Sequence, residues 1–173
     1  MKILLDEDGI RRSITRISYE IIERNKTVDN IVLVGIKSRG DILAERIKQK
    51  LKELENIETP LETIDITYYR DDIDRKNFEL DIKDIEFKTN LTGKIVVIVD
   101  DVLYTGRTIR AGLDAILSKS RPAKIQLACL IDRGHRELPI RADFIGKNIP
   151  TSHSENIKVY LKETDGKEEV VIL

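Results

Sequence analysis

Two adjacent carboxylates stand where a strongly apolar segment of the chain ends. Asp100 and Asp101 follow the apolar residues 96–99, and a short turn with hydroxyl side chains and a glycine comes directly after them. In open α/β sheets, ligands bind at the carboxyl ends of strands. A glycine-containing turn that opens a helix presents backbone N–H groups to a phosphate. Paired acids beside such a turn suit the vicinal hydroxyls of a ribose, either directly or through Mg²⁺. The segment therefore predicts a site for a phosphorylated sugar.

Two common nucleotide-binding motifs do not explain this segment. Neither the P-loop pattern Gly-x-x-x-x-Gly-Lys-Ser/Thr nor the dinucleotide pattern Gly-x-Gly-x-x-Gly occurs in the sequence. The alternative is that the two acids only cap the helix that follows. The candidate ligand-binding residues here are Asp100, Asp101, Val102, Leu103, Tyr104, Thr105, Gly106, Arg107 and Thr108.

Helical and strand-like segments alternate along the chain, which favours an α/β fold with a central, mostly parallel sheet flanked by helices. The expected helices cover residues 10–25, with Asp6 as the cap, 41–54 and 106–118. The expected strands cover residues 31–36, 61–69, 95–99 and 125–131, with two short strands near Val159 and Val171. Residues 132–147 are expected to be irregular.

Length and composition fit one soluble domain over residues 1–173, with 40 % hydrophobic and 35 % charged residues. The formal net charge is −1, so any contact with nucleic acid would need a local basic patch. Cys129 is the only cysteine and lies in an apolar run, which predicts a buried strand residue and a reducing compartment. No apolar stretch approaches the roughly 20 residues of a membrane span. We therefore expect a cytoplasmic protein.

The segment 100–108 resembles the phosphoribosyl-pyrophosphate (PRPP) signature of type I phosphoribosyltransferases, which is a hydrophobic strand, two acids and a Thr-Gly-x-Thr loop. More narrowly, it resembles the form found in the PyrR family, bacterial pyrimidine-operon attenuation regulators that also have uracil phosphoribosyltransferase activity. The resemblance extends, in order, to residues 10–17, 34–40, 65–72 and 132–143. It implies a single-domain type I phosphoribosyltransferase fold with a flexible lid, expected at about 69–90, and a small hood, expected at about 133–155.

The resemblance also implies roles for residues outside the acidic pair. Lys37, Ser38, Arg39 and Gly40 resemble the family's pyrophosphate loop, and Arg70 lies in the expected lid. The residues that the resemblance places in contact with the base are Asp132, Arg133, Phe144 and Ile145. The expected catalytic residues are Asp100, Asp101, Arg39 and Arg70. Mg²⁺ is expected to bind through PRPP, with Asp100 and Asp101 as candidate direct ligands.

The implied reaction converts uracil and PRPP to UMP and diphosphate. The same site would sense UMP or UTP against PRPP in a protein that regulates pyrimidine biosynthesis genes. The alternative left open is a purine or xanthine phosphoribosyltransferase without an RNA role. Protein side chains would act mainly by positioning and by electrostatic stabilisation, because no nucleophilic side chain is required.

A second group of basic residues lies outside this site. Arg12, Arg16 and Tyr19 repeat along one face of the first helix, opposite its isoleucines, and Thr15 is adjacent. In the resembled family, this face and a later basic stretch bind a hairpin of the leader transcript, and here that stretch supplies His135, Arg136, Arg141 and Lys147. Lys and Arg side chains contact RNA phosphates and planar side chains stack on bases. The alternative is an exposed helix face whose charge neighbouring acids neutralise. Tyr19 stands where the family commonly has a histidine. A homodimer is expected, because a hairpin needs more surface than one subunit offers.

Overall fold

A computed structural model describes residues 1–66 and 85–173 of the chain. Most of the segment in which we expected the lid, including Arg70, lies outside the described residues. Within them the elements in chain order are β1 (Lys2–Leu5), α1 (Glu7–Asn25), β2 (Ile31–Ile36), α2 (Gly40–Glu55), β3 (Leu61–Ile64), β4 (Ile95–Leu103), α3 (Arg107–Lys119), β5 (Lys124–Asp132), β6 (Phe144–Asn148), β7 (Ile157–Tyr160), α4 (Lys162–Asp165) and β8 (Glu169–Ile172).

The central sheet has the strand order β3-β2-β4-β5-β6, and all of its pairings are parallel. Alternate residues along each central strand pack into two separate hydrophobic cores, one on each face of the sheet. Val97 and Val99 pack in the cluster that contains α1 and α2, whereas Val96 and Ile98 pack in the cluster that contains α3. A sheet covered on both faces requires strands that are apolar throughout, which is why β2 is buried at every position. The predicted α/β class and parallel sheet are confirmed.

Asp6 caps α1 as predicted, because its Oδ1 accepts a hydrogen bond of 2.8 Å from the N–H of Gly9. Cys129 is buried in β5, and burial raises the pKa of its thiol. The strand prediction for residues 61–69 was too long in the part that is described, since β3 ends at Ile64. Within residues 1–66 and 85–173, no helix combines the length and the apolar character that a membrane span requires.

The prediction that residues 132–147 are irregular was wrong at both ends. β5 continues to Asp132, and Phe144–Asn148 forms the edge strand β6. This strand pairs in parallel with β5 from Ala128↔Phe144 to Asp132↔Asn148. It is short and ends in two polar residues, so its local pattern carries no strand signal. Its pairing with β5, which comes from elsewhere in the sequence, determines its conformation.

A second sheet is built from both ends of the chain. Its strand order is β1-β8-β7, and both of its pairings are antiparallel. The two C-terminal strands match the short strands predicted near Val159 and Val171, whereas β1 was not predicted. The hood was expected over residues 133–155, yet in the structure β6 belongs to the central sheet. The separate small sheet uses residues 2–5, 157–160 and 169–172 instead.

Gly40 brings the start of α2 directly against the end of β4. A Cβ atom at this position would lie 2.3 Å from the carbonyl oxygen of Val99 and 3.1 Å from the Cα of Asp100. Both neighbours are backbone atoms of a central strand and cannot move aside cheaply. Glycine is therefore required for the turn after β2 to approach the carboxyl end of β4.

We expect Gly40→Ala to lower the free energy of unfolding by about 1–3 kcal/mol, because the added methyl group overlaps the Val99 carbonyl. Gly112→Ala is the matched control within α3. Its Cβ would meet only the side-chain ends of Ile64 and Ile36, at 3.3 and 3.5 Å. Alanine also favours the helix by roughly 0.5–1 kcal/mol, so this variant should be at least as stable as the wild type. Urea unfolding measures both, and equal stability of the two variants would contradict the close-approach argument.

Candidate active site

A cavity of about 440 Å³ opens at the carboxyl ends of β2 and β4. Most of the residues predicted to bind the sugar phosphate line it, namely Lys37, Ser38, Arg39, Asp100, Asp101, Val102, Leu103, Tyr104, Thr105, Gly106 and Thr108. Arg133 contributes from the end of β5, and Asn156, Ile157 and Lys158 contribute from the start of β7. The structure therefore brings the two predicted loops together in one site, and it adds a wall from the small sheet that the sequence did not indicate.

The two acids of the cavity lie on the last part of β4. Asp100 is 6 % exposed, and its Oδ1 accepts a hydrogen bond of 2.9 Å from the N–H of Asp101. Oδ1 of Asp101 accepts one of 2.8 Å from the N–H of Val102. Burial raises the pKa of Asp101, although the Val102 N–H and the positive charge of Arg39 both favour its carboxylate form. The negative charge of Asp101 is therefore energetically unfavourable here, and a hydroxyl donor or a cation bound in the cavity would stabilise it.

The turn after the acids is shaped to accept a phosphate. Gly106 has φ +93°, in the left-handed region that favours glycine, and α3 begins at the next residue. The backbone of Thr105 is held by the segment after β5, because its carbonyl oxygen accepts hydrogen bonds from the N–H groups of Glu137 and Leu138, at 3.0 and 3.3 Å. Thr105 and Thr108 both face the cavity. The N–H groups of the first turn of α3 and these two hydroxyls could together hold an anion.

The turn between β2 and α2 supplies positive charge to the same cavity. The N–H of Lys37 donates to the carbonyl of Ile64 at 2.9 Å, which ties this turn to β3, and the Lys37–Ser38 peptide bond is cis. Arg39 forms an ion pair with Asp165 at 2.9 Å. Lys158 adds a further cation from the small sheet. Cations on one wall and carboxylates on another suit a ligand that carries both phosphates and hydroxyls.

Asp132 and Arg133 were predicted to contact a base; in the structure both side chains bind other parts of the protein, and of the two only Arg133 lines the cavity. Asp132 accepts hydrogen bonds from the N–H of Gly134 at 3.0 Å and from Arg136 at 2.5 Å. Arg133 is 4 % exposed, and its guanidinium lies 4.0 Å from the ring centroid of Tyr104. It also donates to the carbonyl oxygen of Glu155 at 2.7 Å. Arg133 therefore holds the Tyr104 ring and the 151–155 loop in place at the edge of the cavity.

Phe144 and Ile145 do not line the cavity, which argues against the predicted contact of these residues with a base. Both residues belong to β6, whose side chains alternate between the two faces of the central sheet. Phe144 is 2 % exposed within the core that contains α1, and Ile145 packs against the opposite core. The segment was predicted as part of a hood, whereas its pairing with β5 makes it part of the core.

Four residues predicted to bind RNA share one face of α1. Arg12, Thr15, Arg16 and Tyr19 line the same shallow groove with neighbouring acids, and Tyr19 is 55 % exposed. Arg16 also has a structural task, because it donates to the carbonyl oxygens of Ile145 and Gly146 on β6. The face is therefore present, but one of its arginines also anchors α1 to an edge strand.

The later basic residues divide into two groups. Arg136 is directed inward, since it donates to the carbonyl oxygens of Ile140 and Tyr104 and pairs with Asp132. His135 contacts the carbonyl of Thr151 through its ring. Arg141 and Lys147 are exposed, and Lys147 also donates to the Leu4 carbonyl at 3.0 Å. Arg141 and Lys147 thus remain the members of this stretch that solvent reaches most readily.

Fold and cavity together define a type I phosphoribosyltransferase. The phosphoribosyl transferase domain family matches residues 1–164. The chain is 95 % identical over 173 residues to the bifunctional protein PyrR of Fusobacterium nucleatum subsp. nucleatum, covering all of this chain and 98 % of that protein. It is 56 % identical over 172 residues to the bifunctional protein PyrR of Staphylococcus aureus, covering 99 % of this chain and 98 % of that protein. The chain belongs to the PyrR family.

Solved structures agree on the fold. A hypoxanthine phosphoribosyltransferase from Trypanosoma cruzi in complex with IMP has a TM-score of 0.74 at 21 % identity, with 99 % of this chain and 89 % of that chain covered. A hypoxanthine phosphoribosyltransferase from Staphylococcus aureus has a TM-score of 0.71 at 18 % identity, with 98 % and 90 % covered. At such identities the likeness concerns the arrangement of strands and helices alone.

We expect Asp100→Asn and Asp101→Asn each to lower phosphoribosyl transfer by roughly ten- to a thousand-fold, since each removes a negative charge from the lining of the cavity. The fold should survive. Because burial raises the pKa of Asp101 in the folded protein, its negative charge disfavours folding at neutral pH, and Asp101→Asn should be at least as stable as the wild type. Steady-state rates beside thermal unfolding check both statements. Wild-type rates in both variants would contradict the assignment of the acids.

Proposed function

We propose that the protein transfers the phosphoribosyl group of PRPP to uracil, forming UMP and diphosphate, and that it binds a hairpin of the pyrimidine-operon leader transcript in response to uridine nucleotides. The observation that carries the enzymatic part is the cavity in which a turn suited to phosphate, two carboxylates and several cationic side chains meet. Each of these groups matches one portion of PRPP. Both close relatives are bifunctional proteins by name, which supports two activities in one chain.

In this proposal the 5′-phosphate of PRPP occupies the cradle formed by Thr105, Thr108 and the start of α3. The ribose hydroxyls then face Asp100 and Asp101, which precede the cradle on the same strand. The pyrophosphate extends toward Lys37 and Arg39 across the gap between β4 and β2. Adjacent parallel strands end at the same edge of a sheet, so these three portions of one ligand are reached from one cavity.

We further propose that Mg²⁺ accompanies PRPP, and the donor set fits such an ion. Asp100 and Asp101 both present carboxylates to the cavity, and oxygen donors are the ligands that Mg²⁺ prefers. Within the described residues no third acidic or histidine side chain joins them to complete a metal site. This fits an ion held partly by phosphate and ribose oxygens. When bound, Mg²⁺ would neutralise charge on the departing pyrophosphate.

The side chains would act by holding charges in place. The bond between the ribose C1 and the pyrophosphate lengthens before the new bond to the base nitrogen forms, so positive charge develops on the ribose. Asp100 and Asp101 stabilise that charge, and Lys37 and Arg39 stabilise the negative charge of the leaving group. These groups are fixed before the reaction begins, which is how a preorganised site lowers the barrier.

The backbone of Ile157 is our candidate for recognising the base. Asn156 and Leu173 exchange both of their backbone hydrogen bonds, at 3.1 and 2.8 Å, and Ile157 lies opposite Ile172. In an antiparallel pair the next residue points its N–H and C=O away from its partner strand. Because β7 is the outer strand of the small sheet, these two groups of Ile157 point away from β8, and the residue lines the cavity. The N–H of Ile157 can donate to a carbonyl oxygen of uracil, and its C=O can accept from the neighbouring ring N–H.

This edge of β7 predicts which bases react. Uracil should turn over, whereas cytosine should react at least about a hundred-fold more slowly, because its amino–imine edge leaves both backbone groups without partners. Hypoxanthine and xanthine present a similar keto–imide edge, so only the size of the cavity can exclude them. Their turnover rates therefore test the alternative that the protein is a purine or xanthine phosphoribosyltransferase. Turnover with each free base under equal PRPP decides the matter. A purine used faster than uracil would overturn the uracil assignment.

For RNA we propose a face formed by Arg12, Thr15 and Tyr19 of α1 together with Arg141 and Lys147. These side chains are at least partly exposed and offer cations for phosphates and one aromatic ring for stacking. We propose that the 173 residues form a single domain, that two subunits form a homodimer, and that the protein works in the cytoplasm, where leader transcripts are made. A dimer would present two copies of the face to one hairpin.

The RNA face can be tested without damaging the fold. Arg12→Gln combined with Arg141→Gln should weaken binding of a leader hairpin and lower the slope of log affinity against log salt by somewhat under one per lost phosphate contact. UMP synthesis should stay within about twofold, because the changes are distant from the cavity. Arg121→Gln, an exposed change in the segment between α3 and β5, removes one positive charge that is not part of this face, and it is the control for each single variant, Arg12→Gln and Arg141→Gln. Arg16→Gln is unsuitable, since Arg16 also holds β6.

Gel-shift titrations at several salt concentrations, run beside the enzyme assay, give the answer. UMP should tighten hairpin binding to the wild type, and by linkage the hairpin must tighten UMP by the same factor. Full hairpin binding by the double variant, or equal loss in the Arg121→Gln control, would refute the proposed face.

A further inference from the structure

Arg39 of the proposed pyrophosphate turn is held by a side chain from the far end of the chain. Its Nη2 donates to Oδ1 of Asp165 at 2.9 Å, and its Nε donates to Oδ2 at 3.3 Å. Both side chains are largely removed from solvent, with exposures of 29 % and 17 %. A two-point contact between a planar guanidinium and a carboxylate fixes the orientation of the guanidinium as well as its position. It also leaves Nη1 and its two hydrogens for another partner.

Asp165 is itself fixed by its own turn. Its Oδ2 accepts hydrogen bonds from the N–H of Leu161 and from the hydroxyl of Thr164, both at 2.9 Å. Burial favours the neutral acid, but the Leu161 N–H, the Arg39 guanidinium and the Thr164 hydroxyl together lower the pKa of Asp165 below its ordinary value. The carboxylate is therefore charged at neutral pH and unable to rotate freely.

The turn that carries Asp165 is fastened to α2 at a second point. Nε of Arg46 donates to Glu163 at 2.9 Å, and Arg46 also pairs with Glu168. Arg39 immediately precedes α2 and Arg46 lies two turns along it, so the turn contacts both the cavity end and the middle of the same helix. A residue in this turn can therefore act on the cavity without touching a ligand there.

We propose that Asp165 is a positioning residue, which orients the Arg39 guanidinium so that its free edge meets the pyrophosphate of PRPP. This proposal rests on the proposed phosphoribosyl transfer and adds to it a residue of α4, the helical turn between β7 and β8. The alternative is that Asp165 competes with pyrophosphate for Arg39. In that case, removal of the Asp165 carboxylate would tighten pyrophosphate binding. Because the hydrogen bonds from Leu161 and Thr164 hold the Asp165 carboxylate in place, we favour a role in orienting Arg39 over competition with the ligand.

Asp165→Asn tests this proposal, because the amide keeps the size of the side chain and an oxygen for Leu161. Calorimetry with magnesium pyrophosphate should show about ten-fold weaker binding, since a misoriented arginine loses its geometry with the ligand. UMP lacks a pyrophosphate, and its affinity should change by less than about twofold. The KM for PRPP should rise in parallel. Glu163→Gln is the matched control, because it weakens the same turn without touching Arg39, and its pyrophosphate affinity should equal that of the wild type.

A double variant separates positioning from general damage. Once Arg39→Gln has removed the guanidinium, adding Asp165→Asn should weaken pyrophosphate binding no further. Unchanged or tighter pyrophosphate binding in Asp165→Asn would overturn the proposal, as would an equal loss in Glu163→Gln or an equal loss of UMP affinity. A wild type that binds neither PRPP nor pyrophosphate would instead refute the proposed function, so the two failures are distinguishable.

Discussion

The close packing of Gly40 on the backbone of β4 is the constraint on which the site depends. Two parallel strands end side by side, and the turn after each must reach one ligand from a different direction. A side chain at Gly40 would collide with the Val99 carbonyl, 2.3 Å from an ideal Cβ, and would push Lys37 and Arg39 away from the acids of β4. The absence of a side chain lets cations and carboxylates face each other across one cavity. The turn that follows the acids, which carries Thr105, then forms the third side of the same cavity.

The electrostatics of this arrangement favour the bound state over the empty one. Asp101 is desolvated enough for its pKa to rise, although Arg39 and a backbone N–H favour its charge. Arg39 is in turn held by Asp165, and the turn that carries Asp165 is braced by Arg46. Asp101 and Arg39 thus each have a hydrogen-bond partner in the protein and also line the cavity. A ligand with hydroxyls near the acids and phosphates near the cations completes the pairing, which is the property that a preorganised site requires.

Much of the site was predictable from sequence because its signals are local. The apolar run of β2, the acids of β4 and the Thr-Gly turn lie within short segments, and in the structure the ends of these segments line one cavity. Arg136 was misread because a sequence shows a charge but not the carbonyl oxygens to which it donates. The Ile157 backbone and Asp165 were missed for a related reason. Their placement depends on the small sheet, whose strands come from opposite ends of the chain and whose pairing no local pattern records.

The central claim is that the cavity at the ends of β2 and β4 binds the phosphoribosyl group. The most direct measurement is an amide ¹H–¹⁵N correlation titration of the full chain with UMP. The largest shifts should fall on the amides of Gly106, Arg107 and Thr108, because the 5′-phosphate is proposed to bind at the start of α3, with a second group at Ile157. Tyr19 and its neighbours on α1 should move little in the absence of RNA. Shifts centred on α1, or saturable UMP binding that leaves residues 105–108 unperturbed, would contradict this claim.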